Sequence, residues 1–303
     1  MNASEVSAAL GALGVSPDDA AEVVRTFPLP DRDPASWAQL ERSRDLLSTA
    51  LARGDVESPP PPSMPAGFEL YPVHVILASL DSIRRYHASI GIPNDVSAET
   101  LGFVGRAMEE YRAAHGQAGI QLSRWDWLRF SGTLYQVGRL TVIPYRLRMH
   151  RAAGPLFWFD DAAAETLGPG YRRGDPALSL HVPPNDPLEP AACDASLVRM
   201  RTAFSGVYPG EPLRVATCTS WLLDEQLAEY LPERSNILDF QRRFELIDGA
   251  REDDAAMLRA VFGADFSESL DALPQRTTLE RAVVTHLRSG RHWRMRTGCL
   301  RLT

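Results

Sequence analysis

Ala177-Leu178-Ser179-Leu180-His181-Val182 decides the fold of this chain once it is taken together with the residues up to Thr219. Its small and apolar residues suit a strand, and Pro183-Pro184 closes that strand because proline has no N–H to give a ladder. Pro190 then opens a helix that runs to about Tyr208, with proline in the first turn, where its missing N–H is not needed. Leu213 to Thr219 forms a second strand of small and β-branched residues. A strand, a helix and a strand in that order predict a crossover unit with the two strands parallel.

Toward the N-terminus the texture changes. Gly132 to Arg148 reads as a hairpin broken at Gly138-Arg139, and Leu122, Trp125 and Leu128 mark one short helix before it. Further back the pattern is helical, at about residues 3–14, 17–27, 34–53, 71–90 and 97–115. Ser16-Pro17-Asp18-Asp19 opens the second of these, and Val73, Ile76, Leu77, Leu80 and Ile83 recur at helical spacing in the fourth. The run Ser58 to Pro65 is extended, a stiff connector or a docking segment. Toward the C-terminus a helix is expected over Leu222–Tyr230. Another begins at Thr277-Thr278-Leu279-Glu280, a capping-box pattern, and a last strand over Trp293–Leu302 closes the sheet. The prediction is an α+β chain, with a helical N-terminal domain over residues 1–130 and a mixed-sheet domain over 131–303.

Composition narrows the chemistry. The net charge of -7 over 303 residues leaves no global positive field for a nucleic-acid backbone. All 32 basic residues are arginine, so a lysine nucleophile or Schiff base is excluded. Cys193, Cys218 and Cys299 have no paired spacing, which argues against a disulfide framework and a zinc site; no metal is expected. The N-terminus lacks the pattern of a secretory signal and no apolar run is long enough for a membrane span, so a cytoplasmic protein without a membrane partner is expected.

Several segments in order resemble a bacterial family of N-acyltransferases with a GNAT-like C-terminal domain. They are Leu180-His181-Val182-Pro183 with Pro187-Leu188 and Ser196-Leu197; Cys218 to Asp224; Leu231-Pro232 with Ser235 to Phe244; and Leu273 to Leu279. The resemblance covers most of residues 176–290, and it extends to the helical region, which is similar to the domain that accompanies this fold. It implies acyl-CoA or acetyl-CoA as co-substrate and an amine on a small molecule or peptide as acceptor.

Such a transfer needs a strand edge for pantetheine, backbone N–H groups at a helix start for pyrophosphate, and a route for the amine proton. On the family pattern the cofactor segment is Leu180, Val182, Asn185 and Leu188. The loop Pro183 to Leu188 departs from that pattern, because it has no glycine and carries an acid, Asp186. Gly168 to Gly174 is a second glycine-bearing stretch, read as an exposed turn or a source of guanidinium groups.

His181 is either the base or a histidine satisfied by a backbone carbonyl. Cys218 is a buried filler or a nucleophile; its strand's alternation sets it with Ala216 and Ser220, away from Thr217 and Thr219. Ser220 and Trp221 end the strand, where substrates gather in open sheets. Ser235-Asn236 is a helix cap or a substrate contact. Many members of the family protonate the departing thiolate with a tyrosine after this strand, and Tyr230 is the nearest here. Trp125, Trp127, Phe157, Trp158 and Phe159 are core or an acyl pocket. Two rival readings remain: a GNAT-like module that binds without catalysis, and a Cys218-dependent acyl hydrolase or transferase using His181.

Overall fold

The computed structural model describes residues 3–53, 62, 68–147, 174–184, 186–263 and 269–302. Most of the proline run, most of Gly168 to Gly174, and Phe157, Trp158, Phe159 and Asn185 lie outside them. The chain divides into two compact units, Met1–Val137 with Ala203–Pro209, and Gly138–Thr202 with Gly210–Thr303.

The first unit is helical. Its elements are α1 (Ala3–Ala12), α2 (Pro17–Thr26), α3 (Pro34–Arg53), α4 (Tyr71–Ser89), α5 (Asn94–Leu101), α6 (Phe103–His115) and α7 (Arg124–Trp127), followed by the short strand β1 (Tyr135–Val137). Ser16 caps α2, its hydroxyl accepting from the Asp19 N–H at 3.2 Å. The Asp19 carboxylate is buried, and the Arg112 guanidinium of α6 neutralises it, with Nε 2.7 Å away. Val73, Ile76, Leu77, Leu80 and Ile83 of α4 are all buried at the centre of this core. Trp127 joins it against Phe130, the core reading of that aromatic.

The single helix expected over 97–115 is two, broken at Gly102. The Gly105 N–H donates to Leu13 O at 3.2 Å, outside its own helix. A Cβ at Gly105 would stand 2.3 Å from the Gly14 carbonyl oxygen, so only glycine lets α6 come this close to the turn after α1.

Two buried histidines of α4 make this unit acid-sensitive. His74 contacts Thr26 Oγ1 at 3.2 Å through Nε2, and His87 contacts Ser97 Oγ at 2.8 Å through Nδ1. Burial lowers both from 6.5 to about 4. Below pH 6.5 the unfolded chain takes up protons that the folded one refuses, so stability falls as pH drops from about 6.5 to about 4. Each ring is expected to account for about 3 kcal/mol of that loss, at roughly 1.36 kcal/mol per pKa unit. Urea midpoints across this window check it; a double His74→Gln, His87→Gln variant whose pH slope equals that of the parent refutes it.

The second unit is built on a mixed sheet. From β1 the chain turns at Gly138, φ 58°, into β2 (Leu140–Arg146), and continues through β3 (Pro176–His181), α8 (Pro190–Ala203) and β4 (Val215–Ser220). Then come α9 (Asn236–Gln241), β5 (Glu245–Glu252), α10 (Asp254–Phe262), α11 (Thr278–Arg288) and β6 (Arg294–Arg301). The strands lie in the order β2-β3-β4-β6-β5. β3 and β4 are parallel, as the crossover requires, and the other neighbours are antiparallel. Thr277 and Glu280 form the expected capping box at the start of α11.

Three features differ from the sequence expectation. β6 does not close the sheet but runs inside it, between β4 and β5. β5 and α10 were not foreseen, because Glu245–Glu252 shows no clean alternation. The helix expected over 222–230 is two 3-10 turns, Trp221–Leu223 and Glu225–Glu229, with extended Asp224 between them. Ser220 Oγ accepts from Leu222 N and Asp224 Oδ1 from Gln226 N, and side chains that bond nearby backbone in this way compete with a helix.

Candidate active site

The parallel ladder between β3 and β4 ends before either strand does, and that end is the fork. Their parallel pairing covers only Ala177–Ser179 against Val215–Thr217. Beyond it β3 still pairs with β2 as far as His181 opposite Thr141, and β4 with β6 as far as Ser220 opposite Arg296. The facing edges of Leu180–His181 and Cys218–Ser220 are therefore left out of that ladder.

Register sorts the side chains around the fork. Ser179 stands opposite Thr217, so Ala177, Ser179 and His181 share a face with Val215, Thr217 and Thr219. Leu178, Leu180, Ala216 and Cys218 occupy the other face. On the first face His181 Nε2 lies 3.1 Å from Ser179 Oγ. Tyr145, reaching from β2 over the small Ala177, brings its hydroxyl 2.6 Å from Thr217 Oγ1. Thr219 and Thr297 hydroxyls meet at 2.9 Å. The result is a band of polar groups across neighbouring strands, with the fork at its centre. Enclosure lowers His181 from 6.5 to about 4, so the ring is neutral at pH 7.

The loop between β3 and α8 is held from below. Arg139, in the turn after β1, donates Nε to Pro187 O at 2.9 Å and Nη2 to Asp186 O at 2.5 Å. Its own N–H donates to Ser196 Oγ at 2.8 Å, and that hydroxyl donates to Ala192 O. The glycine before it is required here, since a Cβ at Gly138 would stand 2.7 Å from Ser196 Oγ. With the Pro187 carbonyl turned to Arg139, the trans peptide points the Leu188 N–H the opposite way. In the first turn of α8, Cys193 N–H is bonded to Glu189 O; Ala191 and Ala192 precede it, at positions whose N–H groups have no partner within a helix. Arg243 fastens α9 to this turn through Asp239 at 2.8 Å, Asp194 at 2.9 Å and Pro190 O at 3.4 Å.

Family models match both parts of the chain, the N-acyltransferase N-terminal domain over residues 4–132 and the GNAT-like C-terminal domain over residues 134–300. The chain belongs to this N-acyltransferase family. Among solved structures it is similar to an acyltransferase in complex with decanoyl-CoA and teicoplanin, at 37% identity and a TM-score of 0.75, covering 100% of this chain and 89% of that one. An acyltransferase with CoA and 10C-teicoplanin is 37% identical, with a TM-score of 0.74, covering 98% and 88%. An acyltransferase with decanoyl-CoA is 36% identical, with a TM-score of 0.72, covering 100% and 89%. Curated proteins gave no match.

In this N-acyltransferase fold, Cys218 and Tyr230 are both held in packing contacts. Cys218 is buried on the face opposite His181, and burial pushes its thiol up to about 12. A thiol so placed is a poor source of thiolate and lies on the other face from that ring. The Tyr230 hydroxyl sits 3.1 Å from His286 Nδ1, against the stacked His286–Trp293 pair, in the apolar layer of α10 and α11. Its phenol is occupied as a packing element.

The remaining expectations divide. Ser235 is a cap, accepting from Leu238 N at 3.3 Å, whereas Asn236 extends its amide toward Glu189 Oε1 at 3.4 Å, beside the start of α8. Ser220 accepts from Leu222 N, and Trp221 packs on the layer that holds Tyr230. Leu180 is buried on the far face opposite Val142, Leu188 is buried, and Val182 is half-buried. Ser179, Arg139, Arg243 and Tyr145 were missed. Ser179 alone left a signal, as a polar residue between two leucines of a buried strand. Among the described residues no cluster of three or more His, Cys, Asp or Glu side chains can hold a metal, and no helix is long and apolar enough to cross a membrane.

Proposed function

We propose that this chain transfers an acyl group from acyl-CoA to an amine on a small molecule. The observation that carries the reading is the fork, where parallel pairing ends at Ser179 and Thr217 while both strands continue. Pantetheine is a chain of amides, and strand edges beyond the end of that ladder suit it. Leu188, Ala191 and Ala192 supply N–H groups for pyrophosphate at the start of α8, which replaces the missing glycine loop with a loop that Arg139 braces. His181 takes the amine proton. The structures this chain resembles hold decanoyl-CoA and teicoplanin, which supports a CoA thioester as donor and a small molecule as acceptor.

The mechanism is direct. The amine nitrogen attacks the thioester carbonyl, its proton passes to the His181 side, and the C–S bond breaks to release CoA. No protein thiol takes part. Acyl-CoA of fitting length is expected to stabilise the protein by about 3 kcal/mol at a hundredfold excess over Kd, read as a rise in melting temperature. Cys218→Ala is expected to keep the wild-type turnover, measured by release of free CoA thiol and by mass spectrometry of the acylated amine. A panel from acetyl- to decanoyl-CoA that neither shifts the melting temperature nor releases CoA would favour the binding module without catalysis.

A further inference from the structure

Ser179 breaks the local rule of its strand. It lies at the fourth position of the six-residue strand β3, between Leu178 and Leu180, and is 4% exposed. A buried strand position favours an apolar or β-branched residue, and a buried hydroxyl must find a partner or cost stability. Its partner is the ring of His181 two residues on, with Oγ 3.1 Å from Nε2. Ser179 is also the last residue of β3 paired with β4, so its hydroxyl marks the apex of the fork while the His181 ring lies further out.

We infer that Ser179 Oγ relays the amine proton to His181 Nε2. The inference rests on the fork being the donor site and His181 the base. In the step, the amine nitrogen uses its electron pair to form the C–N bond. The amine N–H bond breaks as that proton moves to Ser179 Oγ, and the Ser179 O–H bond breaks as its proton moves to Nε2. The C–S bond breaks with its electron pair on sulfur, and the thiolate takes a proton from solvent. The serine ends as it began, and the imidazolium returns its proton to water. To accept from the hydroxyl the ring must be neutral, with its remaining proton on Nδ1.

A double-mutant cycle tests this. Ser179→Ala is expected to lower kcat about 10²-fold with acyl-CoA affinity unchanged, because the relay acts on the proton and not on the cofactor. Ser179→Thr, which keeps the hydroxyl, is expected to restore most of the turnover. In the His181→Ala background, Ser179→Ala is expected to change kcat by no more than about twofold, since a relay without its acceptor has nothing left to lose. Equal losses in both backgrounds, or a fall in melting temperature with normal kcat, overturn the relay and leave a strand hydroxyl that merely packs. A wild-type rate in His181→Ala overturns the base, and the relay with it. Loss in His181→Ala but none in Ser179→Ala overturns the relay alone.

Discussion

Turnover of His181→Ala is expected to fall about 10²- to 10⁴-fold with acyl-CoA affinity nearly unchanged, the scale on which a positioned base contributes. The ring shares a face with Ser179, beyond the last paired residues of β3 and β4. Its surroundings lower it to about 4, so the base form is already present across the neutral range. A base-limited kcat is therefore expected to hold level from about pH 8 to pH 5 and to fall only toward pH 4, where the ring takes a proton. Steady-state kinetics, acyl-CoA binding and thermal melting on the same preparation separate this from packing. A variant that melts several degrees lower and turns over normally refutes the base.

The largest stability loss in the second unit is expected from Asp224→Ala. The Asp224 carboxylate is fully buried where the chain leaves β4. Oδ1 accepts from Gln226 N at 3.1 Å, while Oδ2 accepts from Gln226 Nε2 at 3.1 Å and from Arg294 N, at the start of β6, at 2.8 Å. Gln226 Nε2 also donates to His292 O at 3.0 Å, so one carboxylate fixes the exit of β4 to the entry of β6. Alanine leaves buried N–H groups unpaired, at about 1 to 3 kcal/mol each, and a loss of about 3 kcal/mol or more is expected. That corresponds to a drop of roughly 6 to 12 °C in melting temperature for a domain of this size. Asp224→Asn should recover little, because an amide has a single acceptor oxygen and either orientation turns its NH₂ toward an existing donor. A melting curve of Asp224→Asn that overlays the parent would refute this account.

Local signals in the sequence are legible where they are self-contained. Ser16-Pro17 and Thr277 to Glu280 specify their helix starts within four residues, and both caps are present. The proline-closed strand at 177 and the helix at Pro190 imply parallel β3 and β4, because an antiparallel return does not need so long a crossover. The loss of the helix at 222–230 was not legible in the same way. Asp224 looks like an ordinary surface acid until Arg294, 70 residues later, is brought against it.

The candidate site divides along the same line. His181 was legible as a titratable residue at the end of a strand, and the alternation that sets Cys218 away from Thr217 was legible as well. That Cys218 also faces away from His181 depends on the register between β3 and β4, which is a property of the pairing and not of either segment. The occupation of Tyr230 by His286 and the bracing of the loop by Arg139, some 47 residues away in sequence, are likewise contacts between distant parts of the chain.

The sequence by itself determined the α+β class, the crossover, the absence of any lysine chemistry and the principal helix caps, because these depend on composition, periodicity and neighbours within a turn or two. Tertiary structure alone decided where the ladder between the two parallel strands ends and which side chains share the face at that fork. It also placed β6 inside the sheet. Those outcomes depend on register and on strand order, and a one-residue slip in pairing would have exchanged every residue between the two faces.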